Sequence, residues 1–130
     1  MRFMMLMISK GYANASEEAL PSAKMIAAMT RYNNDLKQAG VLLSLDGLHP
    51  SQDGARVYFS GGKPVAKDGL WLEAREILGG FWMIDVDSKE EAVEWAKRCP
   101  AQNGDIIEIR QVQELEEFPE ELQKAAHLEG

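Results

Sequence analysis

The chain has 130 residues, of which 45% are hydrophobic and 27% charged, and this length and composition are typical of one globular domain. Its net charge of −7 disfavours binding to nucleic acid or to an anionic membrane, because both kinds of binding depend on a basic patch, and the sequence contains no cluster of Lys and Arg. The single cysteine, Cys99, excludes an intrachain disulfide and fits a cytoplasmic location.

The first two elements are predicted to be a buried strand and an amphipathic helix. Residues 3–9 are apolar on both alternating sides, which is typical of a strand covered on both faces. This run is too short for a membrane span or a signal peptide. A helix is predicted over residues 21–39, with Pro21 in its first turn and Gly40 just past its end. Its apolar stripe consists of Met25, Met29, Tyr32, Leu36 and Ala39.

Three strand patterns follow the first helix. The segment VLLSLDGL (41–48) predicts a strand with Val41, Leu43 and Leu45 on one face. The segment ARVYFSGGKPVAKDG (55–69) predicts a hairpin that turns at its two central glycines, because glycine adopts positive φ freely. The segment GGFWMIDVD (79–87) predicts a central strand.

The second half of the chain repeats the alternation of helix and strand. Ser88 and Glu91 form a capping-box pattern that opens a second helix, whose buried stripe is Ala92, Trp95, Ala96 and Cys99. The segment GDIIEIRQV (104–112) predicts the last strand, with Ile107 and Ile109 on one face. We therefore expect one domain over residues 1–112 and an acidic tail over 113–130 that contains a short helix.

The element order β-α-β-β-(β)-β-α-β predicts an α+β fold with a ferredoxin-like antiparallel sheet and both helices on one of its faces. The other face is then uncovered in a monomer, and we expect two copies to pack through it as a homodimer. Strand alternation also predicts polar residues on this inner face. They are Asp46, Arg56, Tyr58, Glu108 and Arg110, so part of the space between the sheets is expected to be polar and able to hold a small-molecule ligand or ordered water.

The segments YNNDLKQAGVLLSLDGLHPSQDGARVYFSGGKPVAKDG, GGFWMIDVDSKEEAVEWAKRCPA and IEIRQV resemble the YCII-related family, in its DGPF-domain branch. The resemblance runs from about Met1 to Val112. It implies a dimeric α-β barrel fold and a bacterial protein, and the activity of most members of the family is unknown.

The sequence departs from this family pattern at two places. The branch is named for Asp-Gly-Pro-Phe, whereas this chain has DGLW at residues 68–71, so the proline that would fix φ is missing. Classical members carry a histidine in the first helix and an acidic residue just past its end, and here Met29 and Val41 occupy those positions. This chain therefore lacks that pair for proton transfer.

Asp68 and His49 are the candidate catalytic residues. Asp68 occupies the position of the family's acid. It is a general base, an anchor for a ligand amine or hydroxyl, or the first residue of an Asp-Gly turn whose carboxylate bonds nearby backbone N–H groups. His49 is either a proton shuttle or an exposed turn residue before Pro50. The loop after Asp68 is expected to form one wall of the pocket and to bury Asp68 partly. It contributes three predicted ligand-binding residues, Trp71, Glu73 and Arg75, and the alternative for the charged two is a solvated loop.

The sequence predicts neither a metal nor a cofactor. The two histidines and one cysteine do not have the spacing of metal ligands, and Gly79-Gly80 precedes a strand rather than the helix of a phosphate-binding loop. Three functions remain open: a small-molecule-binding or regulatory domain, which we favour; a cofactor-free lyase or isomerase that uses Asp68 and His49; and a structural interaction module.

Overall fold

The computed structural model describes residues 1–9, 21–68 and 77–127. These residues form an α+β fold with a four-stranded antiparallel sheet, a two-stranded sheet and three helices, so the predicted fold class is confirmed at this level. The elements are β1 (Arg2–Ser9), α1 (Ala23–Gln38), β2 (Leu42–Gly47), β3 (Ala55–Ser60), β4 (Lys63–Asp68), β5 (Ile77–Asp85), α2 (Lys89–Lys97), β6 (Ile106–Gln111) and α3 (Glu120–His127), with single 3-10 turns at Ser51–Asp53 and Leu115–Glu117.

The larger sheet has the strand order β2-β5-β1-β6, and each neighbouring pair is antiparallel. The two central strands are β5 and β1, in which Met5 lies opposite Trp82 and Phe3 opposite Ile84. Because directly opposite residues of an antiparallel pair project to the same face, these four large side chains form one continuous apolar surface.

The hydrophobic core lies between this apolar surface and the first two helices. Tyr32 and Leu36 of α1 and Ala92 of α2 are buried in the same cluster as the four strand residues, so both helices cover one face of the sheet. The Tyr32 ring meets the Trp82 ring edge-on, with 5.8 Å between the ring centroids.

The polar atoms of these two aromatic residues are paired. The Tyr32 hydroxyl donates to the Trp95 carbonyl oxygen at 2.7 Å, which ties α1 to α2. The Trp82 Nε1–H donates to Asn33 Oδ1 at 2.8 Å, which ties α1 to β5. These bonds satisfy donors that would be costly to bury unpaired.

The first helix begins two residues later than the sequence predicts. Ser22 is its N-cap, and its Oγ accepts from the Met25 N–H at 3.2 Å, so Pro21 lies before the cap rather than in the first turn. Gly40 ends the helix with a φ of 76°, as predicted. The Val41 N–H then bonds to the Leu36 carbonyl oxygen at 3.2 Å, a closure that needs a left-handed residue.

Strand β2 does not follow the simple alternation that the sequence predicts. The register against β5 shifts between Leu42 and Ser44, so an extra residue is inserted at Leu43. As a result Leu42 and Leu45 both pack against the core, whereas Leu43 is exposed. The predicted grouping of Leu43 with Leu45 is therefore wrong.

The second helix and the last strand agree with the sequence analysis. Ser88 caps α2 by accepting from the Glu91 N–H at 3.2 Å, and Glu91 in turn accepts from the Asp87 N–H at 3.3 Å. The predicted apolar stripe of α2 packs on the core, and so do Ile107 and Ile109 of β6.

Candidate functional site: the opposite face of the sheet

The face of the four-stranded sheet that lies away from α1 and α2, here called the opposite face, is apolar in the centre and polar at both edges. The strand register arranges its side chains in two adjacent rows. One row is Ser44, Met83, Met4 and Arg110, and the next is Asp46, Phe81, Leu6 and Glu108. The apolar members are partly exposed in a single chain, whereas the charged members are exposed.

One edge of the opposite face carries a carboxylate, and the other carries an arginine paired with a glutamate. Asp46 on β2 contributes a carboxylate at one edge. Arg110 on β6 lies at the other edge, where its Nη1 donates to Glu108 Oε2 at 3.3 Å. Three strand spacings separate the edges, or about 14 Å between the backbones. This arrangement suits a molecule with an apolar body, a cationic group at Asp46 and an anionic group at the planar fork of Arg110.

Arg56 and Tyr58 do not belong to the opposite face, so their predicted placement beside Asp46 is wrong. They lie on β3, which pairs with β4 alone in a separate two-stranded sheet. The alternation of the hairpin was predicted correctly, but alternation in one strand does not determine which sheet that strand joins. The turn is as predicted, with positive φ at both Gly61 and Gly62.

The two candidate catalytic residues are exposed in a single chain. The His49 side chain is 89% exposed, and its Nδ1 lies 3.5 Å from Asp53 Oδ2. Asp68 ends β4 opposite Ala55 and is exposed, so the expected partial burial of its carboxylate is wrong for the single chain. The three other predicted pocket residues, Trp71, Glu73 and Arg75, lie outside the described residues.

One buried polar residue has no signal in the sequence. Ser51, in the 3-10 turn that follows His49, is only 7% exposed, and within the described part of the chain its Oγ is the one buried side-chain oxygen without a hydrogen-bond partner. A serine after a proline usually signals an exposed turn, so no local pattern would have identified it.

Among the described residues, shallow depressions lie on the side of the helices. One of about 330 Å³ lies along α2 and is lined by Glu90, Glu91, Glu94, Trp95 and Arg98. The other, of about 240 Å³, is lined by Ala28, Arg31, Tyr32, Asp35, Arg98 and Pro100. Neither depression contains a residue that the sequence analysis assigned to a site. Arg98 stacks over the Trp95 ring, with 4.1 Å between its Cζ and the ring centroid, so its charge is held between the two depressions.

The described residues contain no group of three or more His, Cys, Asp and Glu side chains that is placed to hold a metal ion. Burial raises the pKa of the Cys99 thiol to about 11 and raises the pKa of the Tyr32 hydroxyl above its usual value. Both groups therefore stay protonated at neutral pH, and neither is an activated nucleophile.

Fold and site together define a small α+β domain with one helix-covered face and one face that offers an apolar centre between charged edges. The sequence matches the model of the YCII-related domain over residues 1–116, and the chain belongs to that family. Comparison with curated proteins finds no match. None of the helices in residues 1–9, 21–68 and 77–127 is long and apolar enough to span a membrane.

Proposed function

We propose that the protein is a small-molecule-binding or regulatory domain that functions as a homodimer and holds its ligand between the opposite faces of two subunits. The observation that carries this proposal is the composition of that face, in which Met4, Leu6, Phe81 and Met83 form an apolar centre between charged edges. A surface of this kind on a monomer usually marks a binding site.

Two features support the homodimer. Pairing two opposite faces would cover the partly exposed apolar centre, as a helix layer covers the other side of the sheet. The strand order β2-β5-β1-β6, with helices after β1 and β5, is the order of a ferredoxin-like sheet. We therefore also propose the ferredoxin-like and dimeric α-β barrel assignments and membership of the DGPF branch.

Binding is preferred to catalysis because of the surroundings of the candidate proton-transfer groups. His49 and Asp68 are exposed, and His49 pairs with the nearby Asp53. No observation on the described residues specifically favours a cofactor-free lyase or isomerase. The domain boundary at residue 112, the cytoplasmic location, the bacterial origin and the roles of Asp46, Arg56, Tyr58 and Arg110 remain predictions.

A thermal-shift screen tests the proposed site, because a ligand that binds only the folded state raises the melting temperature by mass action. Candidate ligands combine an apolar body with a cationic or an anionic group. The shift should shrink in Asp46→Asn for cationic ligands and in Arg110→Gln for anionic ligands.

Matched controls on the helix side separate this site from non-specific binding. Asp35→Asn and Arg31→Gln make the same charge changes at exposed positions of α1 and should retain the full shift. A ligand that stabilises all five proteins equally binds elsewhere, and this result would contradict the proposed site. Sedimentation velocity of the parent protein tests the homodimer separately, and a monomer at about 100 μM, a weak-binding limit, would contradict it.

A further inference from the structure

The β3–β4 hairpin has one apolar face and one basic face. Opposite pairs in its register place Val57 with Ala66 and Phe59 with Pro64 on the first face. The other face carries Tyr58 and Val65 together with three cationic side chains, which belong to Arg56, Lys63 and Lys67. Every residue of β3 and β4 is exposed, and Phe59 is 82% exposed.

Such a hairpin needs a partner surface. A two-stranded hairpin without a covered face is only marginally stable in water. Among the described elements, the principal contacts of β3 and β4 are with each other. The hairpin also has a positive charge in a chain whose net charge is −7, because Asp68 is its only acidic residue. The complementary surface should therefore be acidic and should present apolar side chains.

The C-terminal segment, residues 113–127, has these properties. It contains five glutamates, at positions 114, 116, 117, 120 and 121, against one lysine. Phe118 and Leu122 are 40% and 54% exposed, so apolar side chains lie among these acids. Its start is fixed to β1 by a forked pair in which Arg2 Nε and Nη2 donate to Glu114 at 2.6 and 2.8 Å.

The hairpin and the C-terminal segment leave the sheet at diagonally opposite corners. β2 ends at Gly47, level with Gly80, Met7 and Ile107, whereas β6 ends at Gln111, level with Phe3. The corners are separated by three strand spacings across the sheet and by about four residues along the strands, which together give roughly 20 Å. A contact between the two segments is therefore easier to make between two copies of the chain than within one.

We propose that the β3–β4 hairpin of each subunit docks on the C-terminal segment of the other subunit, with Lys63 and Lys67 facing Glu120 and Glu121. This inference rests on the proposed homodimer. A two-fold axis that lies between facing sheets, along the diagonal joining the other two corners, brings these two corners together; the strands then cross near a right angle, which is one of the common sheet packings. The same crossing brings Asp46 near Arg110 of the partner subunit, so opposite charges meet across the interface.

A charge-swap experiment with sedimentation velocity tests this docking. Lys63→Glu with Lys67→Glu should weaken the dimer about tenfold, because two attractive pairs at each of the two symmetric contacts become repulsive. Glu120→Lys with Glu121→Lys should have a similar effect. All four changes together restore opposite charges and should return the dissociation constant to within about threefold of the parent value. Lys24→Glu with Lys37→Glu, at exposed positions of α1, makes the matched charge change and should leave the dimer intact.

A crosslinking experiment gives a second readout that does not depend on charge. In a Cys99→Ser background, Val65→Cys with Leu122→Cys should form a disulfide-linked dimer on mild oxidation, because Val65 lies on the same hairpin face as Lys63 and Lys67. Each single cysteine variant serves as a control. Circular dichroism of every variant verifies that the fold is retained.

The possible results separate this docking from the homodimer itself. A monomeric parent protein would overturn both. A dimer that neither charge reversal weakens would overturn the docking alone, and so would a weakening that the four-residue swap does not rescue. A disulfide formed within one chain would show that the hairpin closes on its own C-terminal segment and would overturn docking between subunits.

Discussion

Gly80→Ala should destabilise the protein by forcing β2 away from β5. A Cβ atom at position 80 would lie 2.9 Å from the Asp46 carbonyl oxygen, whereas ordinary contact begins near 3.4 Å, so the strand must move by about 0.5 Å. Overpacking of this kind costs about 1–3 kcal/mol, and the lower entropy of the unfolded alanine chain returns about 0.4–1 kcal/mol. The expected net loss is roughly 0.5–2 kcal/mol in the free energy of unfolding.

Gly47 provides a matched control because it lies directly opposite Gly80 in the register. A Cβ atom at position 47 meets nothing within 4 Å, and its φ is outside the left-handed region. Gly47→Ala should therefore be neutral or stabilise the protein by up to about 1 kcal/mol. Urea unfolding followed by far-UV circular dichroism compares the two variants. Equal midpoints, or a higher midpoint for Gly80→Ala, would refute the close approach of β2 to Gly80.

The pKa values of Cys99 and Tyr32 are higher in the folded state than in the unfolded state. The free energy of unfolding should therefore fall as the pH rises from about 9, because the stabilising contribution of such groups is lost as the pH rises through their folded-state pKa. Cys99→Ala with Tyr32→Phe should flatten the decline in urea midpoints between about pH 7 and 11, and an unchanged slope would contradict this cause. The Cys99 thiol should react with a thiol reagent roughly tenfold faster in urea than in the native protein, and equal rates would mean that it is accessible. Glu114→Gln should loosen the ion pair with Arg2 and thereby speed hydrogen exchange at the Val112 amide. The urea midpoint should change little, because the ion pair is exposed.

The sequence predicts well those features that depend on neighbouring residues. The apolar run over residues 3–9 is enough to identify a buried strand, although not which of its faces meets the helices, and Ser88 with Glu91 is enough to locate a helix start. Gly40 marks a helix end because few other residues tolerate its φ. These signals depend on residues that are close in the sequence, so they can be recognised without knowledge of the tertiary fold.

Features that depend on pairing between distant segments could not be predicted. The inserted residue at Leu43 reverses the faces of β2, and the Leu-rich run reads equally well in either register. The placement of Arg56 failed for a related reason, since a correct hairpin pattern does not show whether the hairpin joins the larger sheet. Arg110 could be assigned to its face because the β6 register has no irregularity, and Asp46 could be because β2 alternates regularly after the inserted residue.

The pairing of Met4 with Met83 at the centre of the opposite face has a chemical consequence. Both side chains are partly exposed in a single chain, so peroxide can reach their sulfur atoms. Conversion to the sulfoxide would place polar, chiral groups where the face is otherwise apolar. Oxidation of these two residues should therefore weaken the proposed self-association and ligand binding while the helix-covered core stays folded, and methionine sulfoxide reductase should reverse the effect.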